Sequence, residues 1–115
     1  MKSKRLYVIL FLCVTTWTNA TAKTVTLLGL HNCGEWIAGQ GLPNGYAARN
    51  WLMGYLSGLS MGSATDFLTN IDGDSIFLWM NNYCRENPLN SITDGADVLS
   101  MQLLSKKKEG MAEAK

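Results

Sequence analysis

An all-α domain, a small bundle of about four short helices on one disulfide with an extended N-terminal arm, is the fold class this sequence predicts. Three observations carry that reading. Apolar residues recur at helical spacing in several separate stretches, as in Ala48, Trp51, Leu52, Tyr55 and Leu59. Helix-start residues (Asn32, Asp74, Ser91) stand just ahead of such stretches. Finally, breaker residues (Gly39, Gly41 and Pro43, then Asn87-Pro88) stop such stretches. The chain of 115 residues, 47% hydrophobic and 17% charged with two prolines, is one domain or less.

Its first segment reads as a targeting signal. Lys2, Lys4 and Arg5 precede the apolar run Leu6–Val14, and Ala20-Thr21-Ala22 places small residues where a signal peptidase cuts. So short an apolar run cannot cross roughly 30 Å of hydrocarbon. The expected organisation is a signal peptide over 1–22 and a single helical domain over 23–115 with a basic C-terminal tail, Lys106-Lys107-Lys108. Export through a cleaved signal implies the periplasm, with no stable membrane insertion afterwards. Ten Lys and Arg stand against nine Asp and Glu, and three of the basic residues lie in the signal. The remainder is slightly acidic, which leaves no basic footprint for nucleic acid.

Cysteine usage follows from the same cut. Cys13 leaves with the signal, so Cys33 and Cys84 remain as an even pair in an oxidising compartment. A bridge closing about fifty residues would restrain the unfolded chain by roughly 4 kcal/mol on a loop-entropy model. Two other uses stay open at this point: a metal site drawing on His31, Cys33 and Cys84, and a Cys–His nucleophile pair.

Element by element, Thr24–Leu30 is β-branched and apolar, an extended arm or short edge strand. Asn32 caps a first helix of barely two turns with Glu35 three residues on, and Gly39, Gly41 and Pro43 end it. The second helix carries the stripe from Ala48 to Leu59. Beside it runs a row of Gly54, Gly58 and Gly62. Glycine costs about 1 kcal/mol in a helix interior, so the row is expected to admit a neighbouring backbone, from this chain or from a partner's helix. Met61–Gly73 connects, anchored by Phe67, Leu68 and Ile71. The alternation of Asn70, Asp72 and Asp74 around Gly73 lacks the spacing of a calcium loop and reads as a turn. Asp74 is expected to cap a third helix with Ile76, Trp79, Met80, Tyr83 and Cys84 on one side, stopped by Asn87-Pro88. Ser91, with Asp94 three on, caps the last helix. Ile92, Ala96, Leu99 and Leu103 form its buried face, and the lysine run ends it.

The order Cys33, Trp36, then Trp51-Leu52-Met53-Gly54-Tyr55-Leu56-Ser57-Gly58, then Tyr83-Cys84-Arg85-Glu86-Asn87-Pro88 resembles the HdeA/HdeB-type periplasmic proteins over Asn32–Lys108. That resemblance implies a secreted helical protein with Cys33 and Cys84 paired and Lys106–Lys108 as a charged tail. It also implies a stress chaperone that dissociates from a homodimer in acid and holds unfolded clients. The layout is similar as well to periplasmic immunity proteins of the Rap/Tai type, which implies binding to one toxin.

No Ser–His–acid set, phosphate-cradling loop or metal cluster is present in the pattern, and His31 is the sole histidine. The expectation is therefore a binding protein rather than an enzyme, with no cofactor and no metal. Its partners are proteins, either unfolded clients or one specific toxin or envelope partner. Trp36, Trp51, Tyr55, Phe67 and Trp79 are the candidate partner-binding residues, since aromatic anchors dominate protein interfaces.

Overall fold

The computed structural model describes residues 24–114; the signal-like segment 1–22 lies outside the described residues. Four α-helices follow in order: α1 (Cys33–Ala38), α2 (Pro43–Gly62), α3 (Gly73–Glu86) and α4 (Ile92–Glu113). Residues 24–30 form an exposed arm rather than a strand. An isolated antiparallel bridge pairs Asn32 with Ser91, through Cys33 N–H to Asn90 O and Ile92 N–H to His31 O (2.9 and 3.0 Å). The starts of α1 and α4 therefore lie side by side.

Local chemistry sets the helix ends. α1 and α4 both begin with complete capping boxes, Asn32 with Glu35 and Ser91 with Asp94. α2 has no side-chain cap; Pro43 opens it, occupying a position where a missing N–H costs nothing. α3 starts two residues earlier than Asp74 implies. Its cap is Asp72, whose carboxylate accepts the Ser75 N–H at 2.8 Å and the Ser75 hydroxyl at 2.7 Å. A cap bonds the third residue of its helix, and Gly73 enters the helix, so Asp74 falls in the first turn. The lysine run does not end α4 either. Lysine is a good helix former, and the helix continues through Lys106–Lys108 to Glu113.

α1 packs on α3, α2 on α4, α3 on α4, and α1 on α2. The core between them is built from Cys33, Trp36, Ala48, Leu52, Leu56, Ile76, Met80, Cys84, Ile92, Ala96 and Leu99. Cys33 and Cys84 are joined at its centre, both buried, with their Cα atoms 4.9 Å apart. The buried line of α2 is Gly45, Ala48, Leu52 and Leu56. It is rotated from the expected stripe, so Trp51, Tyr55 and Leu59 lie at the edge and Leu56 at the centre. Both aromatic groups carry a polar end, and the border lets each find a partner while its ring stays against the core.

The expectation that the glycine row admits a neighbouring backbone of this chain is corrected. A Cβ added at Gly54, Gly58 or Gly62 would meet nothing within 4 Å, so no neighbouring backbone of this chain approaches there. The row faces away from α1 and α4. The close approaches lie elsewhere: a Cβ at Gly45 would collide with the Gly39 carbonyl, which lets α1 fold tightly back on α2. One at Gly95 would meet the Tyr83 ring at 2.7 Å and the Met80 sulfur at 2.8 Å.

Candidate functional site

The five candidate anchors separate into two groups. Trp36 is 1% exposed and Phe67 is 3% exposed, so neither presents a surface to a partner in the closed fold. Trp36 belongs to the core, its indole N–H donating to Asn81 Oδ1 at 2.7 Å and its ring tilted against Phe77. Phe67 anchors the connection between α2 and α3, with Leu68 partly buried beside the core, whereas Ile71 is exposed.

Trp51, Tyr55 and Trp79 are half-buried and take part in two stacked pairs. Helical spacing of four residues stacks Trp51 on Tyr55, with centroids 5.1 Å apart, and Trp79 on Tyr83 at 5.4 Å. The first pair lies at the α2–α4 seam. There the Tyr55 hydroxyl donates to Asp97 Oδ1 at 2.8 Å, and the Trp51 indole N–H donates to Leu28 O at 2.7 Å. Burial, followed by the bond to the Asp97 carboxylate, pushes the Tyr55 phenol up to about 12. Gly29, at φ +71°, lies against the Trp51 ring, so the arm turns over the indole where a side chain would be strained. The second pair lies at the α3–α4 seam, beside a groove of about 450 Å³.

Carboxylates recur as hydrogen-bond acceptors at the joints. Besides the caps at Glu35, Asp72 and Asp94, Asp66 accepts the Thr69 hydroxyl at 2.6 Å and the Leu68 N–H at 3.2 Å. The Thr69 bond holds the Asp66 carboxyl below its ordinary value, and the Ser75 hydroxyl does the same for Asp72. Arg49 lies over the Phe77 ring at 4.9 Å and donates to Gln40 Oε1 at 2.9 Å, which fastens the α1–α2 turn to α3.

The disulfide leaves neither thiol for a metal or a nucleophile, which settles the uses left open for Cys33 and Cys84. His31 Nδ1 is 3.8 Å from Glu35 Oε2. Among the described residues no three His, Cys, Asp or Glu side chains gather, and no helix is long and apolar enough to cross a membrane. Lys106–Lys108 stand within the last part of α4, Lys106 and Lys108 exposed and Lys107 half-buried.

Sequence reasoning missed Asn81, Asp97 and Gln102, all on helices and all polar. Asp97 lies three residues after Asp94, on the side of α4 that meets Tyr55; a polar residue beside the apolar line was the available signal. Comparison with protein-family models, with curated proteins and with solved structures returns no match to this chain.

Proposed function

We propose that this is an exported, non-catalytic binding protein that holds partly unfolded protein clients when acid loosens it, as HdeA/HdeB-type periplasmic proteins do. One observation carries the reading: the two main helix pairs are fastened by different means. α1 and α3 are joined by the buried Cys33–Cys84 bond. α2 and α4 meet through apolar packing and the Tyr55–Asp97 hydrogen bond, with the start of α4 organised by the Asp94 carboxylate.

Acid leaves the covalent fastening intact and acts on the carboxylate bonds: Glu35 at the start of α1, Asp66 and Asp72 between α2 and α3, and Asp94 and Asp97 on α4. Asp66 and Asp72 have carboxyls held low in the fold, so their contribution is fully present above the unfolded carboxylate value near 4. It is lost as pH falls through the lowered values. The bonds accepted by the Asp94 carboxylate at the α4 start and by the Asp97 carboxylate at the α2–α4 seam draw part of their strength from the acceptor's charge. With the carboxylates neutral, the chain after signal removal carries about +9, and self-repulsion favours a looser state. The disulfide keeps α1 on α3 while α4 comes away, presenting Leu52, Leu56, Ile92, Ala96 and Leu99 to a client.

The test adds the protein to an acid-sensitive client at about pH 2–3 and follows light scattering, with a dye that reports exposed apolar surface. Dye binding together with suppressed client aggregation is the expected result. A protein that stays closed, or opens without protecting the client, overturns the reading. A dedicated protein partner, as for Rap/Tai-type immunity proteins, then takes its place.

A further inference from the structure

The α3–α4 groove has a chemistry of its own. Trp79, Asn82, Tyr83 and Glu86 fall at i, i+3, i+4 and i+7 along α3 and line one wall. Asn87 closes one end, and Val98 and Gln102 of α4 stand opposite. The volume, about 450 Å³, lies within the range of small-molecule sites.

Three features define what fits. The first is a set of unused polar groups. The indole N–H groups of Trp36 and Trp51 each donate to an acceptor of the protein, whereas that of Trp79 meets none among the described residues. The Gln102 amide and the Glu86 carboxylate likewise form no hydrogen bond within the described residues. The second is rigidity: Tyr83 is held between Trp79 on one side and Gly95 on the other, and its hydroxyl accepts from Asn90 Nδ2 at 2.8 Å. The third is polarity. No lining residue is a cation, and Val98 is the sole aliphatic side chain.

These features exclude two ligand classes. A phosphate or carboxylate would face the Glu86 carboxylate, while Arg85, outside the lining, already donates to Asn82 Oδ1 at 3.4 Å. A purely apolar ligand would strand the amide and carboxylate groups without partners. A ligand with hydroxyls that both donate and accept, and with an apolar C–H surface to lie against the aromatic pair, satisfies both demands.

We propose that the α3–α4 groove binds a neutral saccharide of one or two rings, with Trp79 and Tyr83 as the apolar wall and Gln102, Asn82 and Glu86 bonding its hydroxyls. The site belongs to the closed fold and is independent of acid opening.

The test is a titration of the 15N-labelled protein at neutral pH with maltose, cellobiose and N,N′-diacetylchitobiose, and separately with a neutral tripeptide amide. At least one saccharide is expected to shift the Trp79 indole and Gln102 amide signals saturably, with a dissociation constant of about 1–10 mM, while the Trp36 and Trp51 indoles stay in place. Gln102→Ala, at an exposed position, should keep the thermal midpoint and weaken binding about three- to tenfold, the loss of one hydrogen bond. The proposal is overturned if no saccharide gives a saturable shift, if the tripeptide shifts Trp79 more strongly, or if Gln102→Ala binds as tightly as the parent.

Discussion

α1 has six residues and α4 has twenty-two, yet it is the shorter helix that is covalently tied to a neighbour. A helix of six residues has no stability of its own in water. α1 is held by point fastenings: the disulfide at Cys33, the Trp36 indole bond to Asn81, and the Asn32–Glu35 capping box. α4 depends on a distributed apolar face, Ile92, Ala96, Leu99 and Leu103, and on one cross-helix bond between side chains, Asp97 with Tyr55. The disulfide and the Trp36–Asn81 bond are covalent or neutral and resist a change of pH, whereas the Glu35 carboxylate of the capping box does not. Nor does a seam held partly by carboxylates. The comparison teaches that separability follows the chemistry of attachment rather than the length of the element.

Removing the disulfide attacks the shorter helix directly and has the largest expected effect. Cys84→Ser should lower unfolding stability by about 2–5 kcal/mol, read as a shift in the urea midpoint, and an unchanged midpoint would break the comparison. Next come two glycines of α2 treated as a pair. Gly45→Ala forces a methyl against the Gly39 carbonyl, backbone that cannot swing aside, so a loss of about 3 kcal/mol is expected. Gly58→Ala meets open space and should gain about 0.5–1 kcal/mol from helix propensity. Opposite signs in the two melts locate the contact between α1 and α2. The smallest effect belongs to the longer helix: Tyr55→Phe should cost about 1 kcal/mol at neutral pH. Because the Tyr55 phenol is raised to about 12, its contribution is complete below the unfolded value of 10 and is lost as pH rises through 12. In acid the difference from the parent should shrink, since a neutral carboxyl still accepts the Tyr55 hydroxyl but without charge assistance. A Tyr55→Phe penalty unchanged at about pH 2 would mean that the seam does not rely on the carboxylate's charge.

Capping signals were legible because a cap is local. Asn32 with Glu35 and Ser91 with Asp94 bond within one turn, so three-residue spacing contains the whole interaction. The cysteine pairing was legible from a count. The glycine row was not, because spacing of four says that Gly54, Gly58 and Gly62 share a side of α2 without saying what lies opposite. The rotation of α2 towards Leu56 has a similar cause: apolar residues surround that helix, and only the shapes of α1 and α4 select its buried line. At α3, two acids in one turn signal competed, and Asp72 prevailed over Asp74 because Ser75 offers both its N–H and its hydroxyl to Asp72. The groove was half legible. Trp79, Asn82, Tyr83 and Glu86 form a visible helical row, but Gln102 reaches them only through the packing of α4.

The bridge between Asn32 and Ser91 imposes a direction on motion. It ties the first residues of α4 to the start of α1, and thus to the segment that Cys33 anchors. From Ser105 onward, by contrast, α4 has no buried residue. The helix is a lever with its pivot at Ser91 and its free arm at Glu113. Amide exchange should therefore be fastest at the far end and slow progressively toward the pivot. Separation of the seam would run the same way, unzipping from Leu103 to Leu99 to Ala96, with Ile92 the last apolar side chain to leave.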